Sequence, residues 1–126
     1  MRYSTASTKK RNNYEITFYK DGLGSPILAG GKRSKAMYQT GVLRGCSLSL
    51  EQSDTGTLAV RVIKANGQIH SGFVQVENES VVVSDITWNE GSIPGQFAIG
   101  DLVEIELIDG FEKTHWLCAS VFGSVN

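Results

Sequence analysis

Between residues 22 and 106 the chain alternates short apolar and polar runs, joined by turns that contain glycine and aspartate. No stretch of this region has the 3.6-residue period of an amphipathic helix. The clearest run is residues 102–108, where apolar residues alternate with two glutamates. A period of two is that of a strand with one buried face. The pattern therefore predicts an all-β chain.

Seven such runs, with two shorter extended pieces, predict about eight strands. The runs are residues 14–19, 42–50, 57–64, 70–76, 81–88, 102–108 and 114–122, and the shorter pieces lie at 37–39 and 97–99. Asn66-Gly67 predicts a tight hairpin, because both residues tolerate a positive φ. Short strands at this spacing predict an antiparallel two-sheet β-sandwich of jelly-roll-like order.

Two details of the pattern concern the core. In residues 42–50 the alternation places Val42 on the inward face and Leu43 on the outward face. The polar stretch 51–56, which reads EQSDTG, is typical of a loop and is predicted to separate two strands.

The charges of the chain are unevenly distributed. It has 126 residues, of which 40% are hydrophobic, and this is typical of one domain. Residues 1–35 carry eight Lys/Arg against two Asp/Glu, a net charge of +6, whereas residues 36–126 carry four against eleven, a net charge of −7. Residues 1–13 have no apolar periodicity, so we predict an extended basic arm followed by a single β-sandwich domain over residues 14–126.

This asymmetry indicates a basic arm or edge that meets an acidic surface, although an ordinary solvated tail would look the same. Nucleic acid is not the expected partner, because the acidic body would repel phosphates. The N-terminus has no apolar signal-peptide core, and no apolar run approaches the ~20 residues of a membrane span. We therefore expect no membrane partner, and synthesis in the cytoplasm.

The cysteines and histidines do not form a recognisable site. Cys46 and Cys118 lie in strand patterns without ligand spacing, so we predict two buried free thiols, with a disulfide between them as the alternative. His70 and His115 have no second ligand at a helical or H-x-H spacing, whereas zinc needs three or four converging ligands. We expect no metal and no cofactor.

Nucleophilic and acid–base catalysis also lack a motif. The serines include no G-x-S-x-G elbow. Glu104 and Glu106 share one strand face, which is more typical of the wet side of a half-buried strand than of a catalytic pair. We therefore expect that the protein is not an enzyme.

One group of residues is a candidate for glycan contact. Trp88 and Asn89, with Asp85 and either Tyr19 or Tyr38, supply the aromatic face, amide and carboxylate that sugar sites combine. Alternatively, Trp88 is a core residue that packs with Trp116 between the sheets, and this is the reading we favour.

The chain contains three turn motifs: a lead-in at Asp21, Gly22, Gly24 and Ser25, a turn at Gly56 and Thr57, and a late strand start at Gly100 and Asp101. Together they resemble those of a β-sandwich domain found in virion structural proteins of tailed bacteriophages. The resemblance covers roughly residues 16–108 and departs from the pattern at LAGG in the lead-in and at the VRV sequence of residues 60–62.

The resemblance implies a virion structural protein that decorates or cements the capsid, as a homotrimer located in the virion. Its expected partners are the major capsid protein or other virion proteins. The basic arm, through Arg2, Lys9, Lys10 and Arg11, would reach over an acidic neighbour. Two alternatives stay open: a tail-fibre, collar or baseplate appendage that contacts host glycans, and a carbohydrate-binding module unconnected to a virus.

Overall fold

The computed structural model describes residues 13–28, 30–89 and 95–125. These residues form eight strands, which confirms the predicted all-β class. The described part of the chain contains no helix that is long and apolar enough to cross a membrane. The strands are β1 (Asn13–Asp21), β2 (Lys32–Ala36), β3 (Gly41–Ile63), β4 (Ile69–Asp85), β5 (Thr87–Trp88), β6 (Gln96–Phe97), β7 (Leu102–Gly110) and β8 (Trp116–Val125).

Two long strands, β3 and β4, run through both layers of the fold. The first layer has the order β1, β8, first half of β3, last part of β4. The second has the order β2, β7, second half of β3, first part of β4, β5. If β3 and β4 each count as two segments and the two-residue strands β5 and β6 are left out, eight segments remain. The first pairs with the eighth, the second with the seventh, the third with the sixth and the fourth with the fifth. An antiparallel ribbon folded in this way is a jelly roll, so the predicted antiparallel sandwich is confirmed.

One apolar core lies between the layers. It combines Ile16, Leu48 and Ala119 of the first layer with Leu58 and Val103 of the second. The predicted inward faces of the strands at 57–64 and 102–108 are confirmed, since their alternate apolar residues are all buried.

The start of β3 differs from the alternation. Leu43 is buried and Val42 is only half-buried, so the predicted faces of these two residues were wrong. The reason is a register shift between Leu43 and Gly45 in the pairing with β8. An extra residue in one strand moves the following side chains to the opposite face, and the sequence pattern does not reveal it.

The predicted loop at residues 51–56 was also wrong, because β3 continues through it with a bend. The register with β4 shifts on both sides of Asp54. The buried carboxylate of Asp54 accepts backbone N–H groups of Thr55 at 2.8 Å, Lys113 at 2.9 Å and Thr114 at 2.8 Å. A buried polar residue thus holds the bend. Local composition cannot distinguish such a polar, bent stretch of strand from a loop.

The hairpin between β3 and β4 has a three-residue loop in place of the tight turn. Lys64 and Gln68 close it, with the Gln68 carbonyl accepting the Lys64 N–H at 2.8 Å. Gly67 alone of the predicted pair has a positive φ, at 97°. A three-residue loop with its last residue in the left-handed region is a common hairpin closure.

The strand β2 lies outside the piece predicted at 37–39. It consists of KRSKA, all exposed, and among the described strands it pairs only with β7. The sequence did not predict this strand because its residues are mostly charged. Edge strands commonly carry lysine, so such a composition is compatible with a strand at this position.

Both cysteines are free, as predicted, but only one is fully buried. Cys46 is enclosed in the core, and burial raises the pKa of its thiol to about 12. Cys118 is half-buried on the outward face of β8, so its predicted burial was wrong. It pairs across the sheet with Ser49.

Candidate interaction surfaces

A shallow groove of about 400 Å³ lies on the outer face of the second layer. Its floor is formed by outward side chains of β3 and β4 that face one another in three successive rows. The rows are Thr57 opposite Gln75, Ala59 opposite Phe73, and Arg61 opposite Ser71.

Hydrogen bonds fix the two ends of this groove. At one end the Gln75 side-chain amide donates to the Thr57 hydroxyl at 3.1 Å. At the other end the backbone N–H of Asn89 donates to the carbonyl of Ser71 at 2.8 Å, which places Asn89 on the rim. The half-buried ring of Phe73 lies between them, so the groove combines an aromatic face with primary amides and hydroxyls.

Arg61 is the cation of the groove, and it is already neutralised. Its guanidinium donates to Glu104 and Glu106, each at 2.8 Å. Partial burial alone would lower the pKa of Arg61, but the hydrogen bonds to Glu106 and Glu104 raise it above the usual value. Because two carboxylates surround one cation, the groove does not favour an anion.

The structure separates the two residues predicted for glycan contact. Asn89 lies on the groove, whereas Trp88 lines a different hollow of about 390 Å³ together with Arg44 and Asp85. The indole of Trp88 lies against Gly72 and Gly95 and contacts the core as a partly buried residue. Two glycines beside one indole indicate that the ring mainly supports β5.

The predicted contact between Trp88 and Trp116 was wrong. Trp116 lies on the outer face of β8, where its ring is 6.4 Å from that of Tyr19 at an interplanar angle of 29°. Neither Tyr19 nor Tyr38 lines the hollow beside Trp88. The five residues grouped from sequence therefore do not form one platform.

Charges of opposite sign occupy different parts of the domain. The edge strand β2 exposes Lys32, Arg33 and Lys35, and the Lys35 ammonium lies 5.6 Å from the centre of the Phe18 ring. The end of the sandwich where β3 bends is acidic. Its exposed carboxylates belong to Glu51, Glu77, Glu79, Asp109 and Glu112, with Lys113 as the exposed cation among them.

The last part of β4 is an apolar edge of the first layer. Val81 and Val83 point outward and are 67% and 71% exposed. They pair with Ser49 and Ser47 of β3 on one side. On the other side, no strand formed by the described residues pairs with this part of β4.

The remaining predicted residues can be placed briefly. The arm residues Arg2, Lys9, Lys10 and Arg11 lie outside the described part of the chain. Within that part, no group of three or more His, Cys, Asp or Glu side chains is arranged to hold a metal ion. The sequence did not predict this groove around Phe73, because its outward residues come from two strands whose register the sequence does not show.

No family model and no curated protein match the chain. Similar solved structures include the SPBc2 prophage-derived protein YomS, with 12% identity, a TM-score of 0.39, and coverage of 88% of this chain and 95% of that one. A CocE/NonD family hydrolase from Staphylococcus aureus has 9% identity, a TM-score of 0.35, and coverage of 90% and 31%. A structure of infectious bursal disease virus, Gx strain, has 10% identity, a TM-score of 0.37, and coverage of 90% and 37%. One neighbour thus comes from a prophage, and likenesses at these values carry no argument about function.

Proposed function

We propose that this protein is a bacteriophage virion structural protein that decorates or cements the capsid. The observation that carries the proposal is the separation of a basic edge strand from an acidic end on one small domain. Such a domain binds an acidic neighbour on one side and leaves its other side for a further contact. In this proposal the protein acts as a homotrimer, has no enzymatic activity, and contacts neither nucleic acid nor membrane.

Weak charged contacts are sufficient for stable attachment to the capsid if many copies bind together. An exposed ion pair contributes only ~0.2–1 kcal/mol, so three cations of β2 give a modest affinity for one site. Copies that are linked as an oligomer bind neighbouring equivalent sites together, which raises the overall affinity strongly. Contacts between exposed charges weaken as salt rises.

Charge reversal on β2 should therefore weaken binding of the protein to the capsid. We expect the triple variant Lys32→Glu, Arg33→Glu, Lys35→Glu to bind at least about tenfold more weakly than the wild type. The measurement is cosedimentation with capsids assembled from the major capsid protein encoded nearest to this gene, at rising NaCl concentration. The wild type should dissociate as the salt screens the contacts.

The control is the double variant Arg44→Glu, Lys113→Glu, compared with the double variant Lys32→Glu, Lys35→Glu, because both reverse two exposed cations and only the second pair lies on β2. This control should bind as the wild type does. Equal losses in both variants would show a general effect of net charge and would contradict the edge contact. Binding to purified tails but not to capsids would contradict capsid decoration and support the tail-fibre, collar or baseplate alternative.

The Phe73 groove favours a second candidate function, which is glycan contact by a tail-fibre, collar or baseplate appendage. An aromatic ring between amides and hydroxyls matches the apolar face and hydroxyl edge of a sugar. The groove also lies on a sheet face, where the side chains are held by two long strands.

Phe73→Ala should lower glycan affinity about tenfold, equal to 1.4 kcal/mol, because the ring is the apolar surface of the groove. Asn89→Ala should lower it less, since the groove keeps Gln75. The measurement is binding to an array of neutral bacterial surface oligosaccharides. Tyr19→Ala removes an exposed aromatic ring from the other layer and should have no effect. If Tyr19→Ala and Phe73→Ala lose the same affinity, or if the wild type binds no glycan, this candidate is wrong.

A further inference from the structure

We propose that the outer edge of β4 receives the arm of a second copy of this chain as an added antiparallel strand. The segment concerned is residues 79–85 of β4, called here the β4 edge. The inference depends on this edge and on the sequence of the arm, and it holds wherever the protein works.

The β4 edge has free hydrogen-bonding capacity on one side. Along one edge, Val81, Val83 and Asp85 of β4 pair with β3. The neighbouring β5 pairs with β4 only at Gly72 and Phe73, well before the edge. Backbone N–H and C=O groups along such a strand end form a template for another strand.

Apolar side chains add to this template. Val82 points into the core and is buried, while Val81 and Val83 expose most of their surface. The five residues between Glu79 and Asp85 read SVVVS and contain no charge, proline or glycine. Consecutive β-branched residues favour strand pairing.

The other long edges of the sandwich are protected by charge. The strand β2 carries Lys32, Arg33 and Lys35, and charged side chains on an edge oppose the addition of a strand. The strand β1 carries Glu15 and Lys20 within its length. The β4 edge has five uncharged residues between its terminal charges, against four between Glu15 and Lys20 of β1. Two of the five are the exposed valines, so among the described edges this one is the most open to pairing.

The arm is opposite in charge to the β4 edge, and its uncharged stretch is one residue longer. Arg2 and Lys9 enclose six uncharged residues, YSTAST, while Glu79 and Asp85 enclose five. In antiparallel register with Lys9 opposite Glu79, Ala6 lies opposite the inward-facing Val82. Opposite charges directly across a strand pair are favourable, and a small residue suits the crowded inward position.

The far end of this register reaches a hollow. Arg2 falls opposite Ile86, beside the hollow of about 390 Å³ that Asp85, Ile86 and Trp88 line. Arg44 lines the same hollow, and Arg2 would share the inward face of Ile86, whereas Asp85 faces outward. The register therefore depends on the pairing of Lys9 with Glu79 and of Ala6 with Val82, and Arg2 adds no anchor.

The antiparallel direction requires a second copy. In the first layer β1 is three strands from β4, a distance of about 14 Å, and it begins at the same end of the layer as Asp85. A chain's own arm would therefore run along β4 in the parallel direction. Parallel pairing is less stable and is foreign to this sheet, in which every pair is antiparallel. Exchange between copies closes an oligomer.

The first test measures oligomeric state by light scattering on the full chain. Val81→Lys with Val83→Lys should raise the dissociation constant of the oligomer at least about tenfold, because it gives the β4 edge the protection that β2 has. Both valines are exposed, so the fold should be kept, and thermal unfolding checks this. Lys9→Glu and Glu79→Lys should each weaken the oligomer, and the two together should restore it.

The second test identifies the pairing. Ser7→Cys and Val81→Cys proteins, each also carrying Cys118→Ser, are mixed and oxidised. Residues directly opposite across an antiparallel pair lie within reach of a disulfide, so a cross-linked heterodimer is expected. A monomeric wild type, or the absence of a cross-linked heterodimer from the oxidised mixture, would overturn the proposal. An oligomer that Lys9→Glu leaves intact while the valine variant abolishes it would show two β4 edges paired directly, which also overturns it.

Discussion

Replacing Asp54 with alanine should lower the free energy of unfolding by about 3 kcal/mol. The carboxylate is buried where β3 bends, and it accepts three backbone N–H groups. Hydrogen bonds to a charged group contribute more than neutral ones, and their loss leaves buried donors without partners. Burial alone would raise the pKa of Asp54, but the amides of Thr114, Lys113 and Thr55 hold it below the usual value.

The position of these three amides explains the size of the effect. Thr55 is in β3, whereas Lys113 and Thr114 belong to the connection between β7 and β8. One side chain therefore holds the bend of β3 against the link between the two layers. Alanine removes all three contacts, and water cannot readily replace a carboxylate in a buried site.

Urea denaturation at neutral pH measures this effect. Asp109→Ala is the matched control, because it removes an exposed carboxylate at the same end of the sandwich, and it should change stability by less than about 0.5 kcal/mol. Asp54→Asn keeps an acceptor oxygen and should fall between the control and Asp54→Ala. If Asp54→Ala behaves as the control does, the bend is held by core packing alone.

The sequence predicted those elements whose pattern is local. Apolar and polar residues alternate along residues 102–108, and the structure has β7 there with the expected buried face. The long strands were not predictable in the same way, since the polar residues around Asp54 read as a loop. Pairing across the sheet holds that stretch extended, and a single sequence contains no direct record of pairing.

The register between β3 and β4 was also not predictable from the sequence. A two-residue turn at Asn66-Gly67 would shift the β3–β4 pairing by one residue relative to the observed three-residue loop, and a shift of one residue changes which side chains share a row. The groove depends on these rows, which place Phe73 opposite Ala59. The outward residues of the two strands were a usable signal, but only a known loop length would have assembled them.

Asp101 supplies the second large effect, because it joins two turns at the other end of the sandwich. Its buried carboxylate accepts the ammonium of Lys64 at 2.6 Å and the backbone N–H groups of Ala65 at 2.9 Å and Ala98 at 2.8 Å. Burial alone would raise the pKa of Asp101, but the contacts with Lys64, Ala65 and Ala98 hold it below the usual value. Asp101→Asn should cost about 2 kcal/mol at pH 7, since the ion pair is lost while one acceptor oxygen stays.

The lowered pKa of Asp101 fixes the sign of the pH dependence. A carboxyl whose pKa is lower in the folded state stabilises the fold above its unfolded pKa of about 3.9, and this contribution is lost as pH falls through the folded value. The wild type should therefore lose stability as pH falls from about 5 to about 2, and Asp101→Asn should lose less over that range. Denaturation at a series of pH values measures both slopes. An unchanged slope in Asp101→Asn would place the acid sensitivity elsewhere.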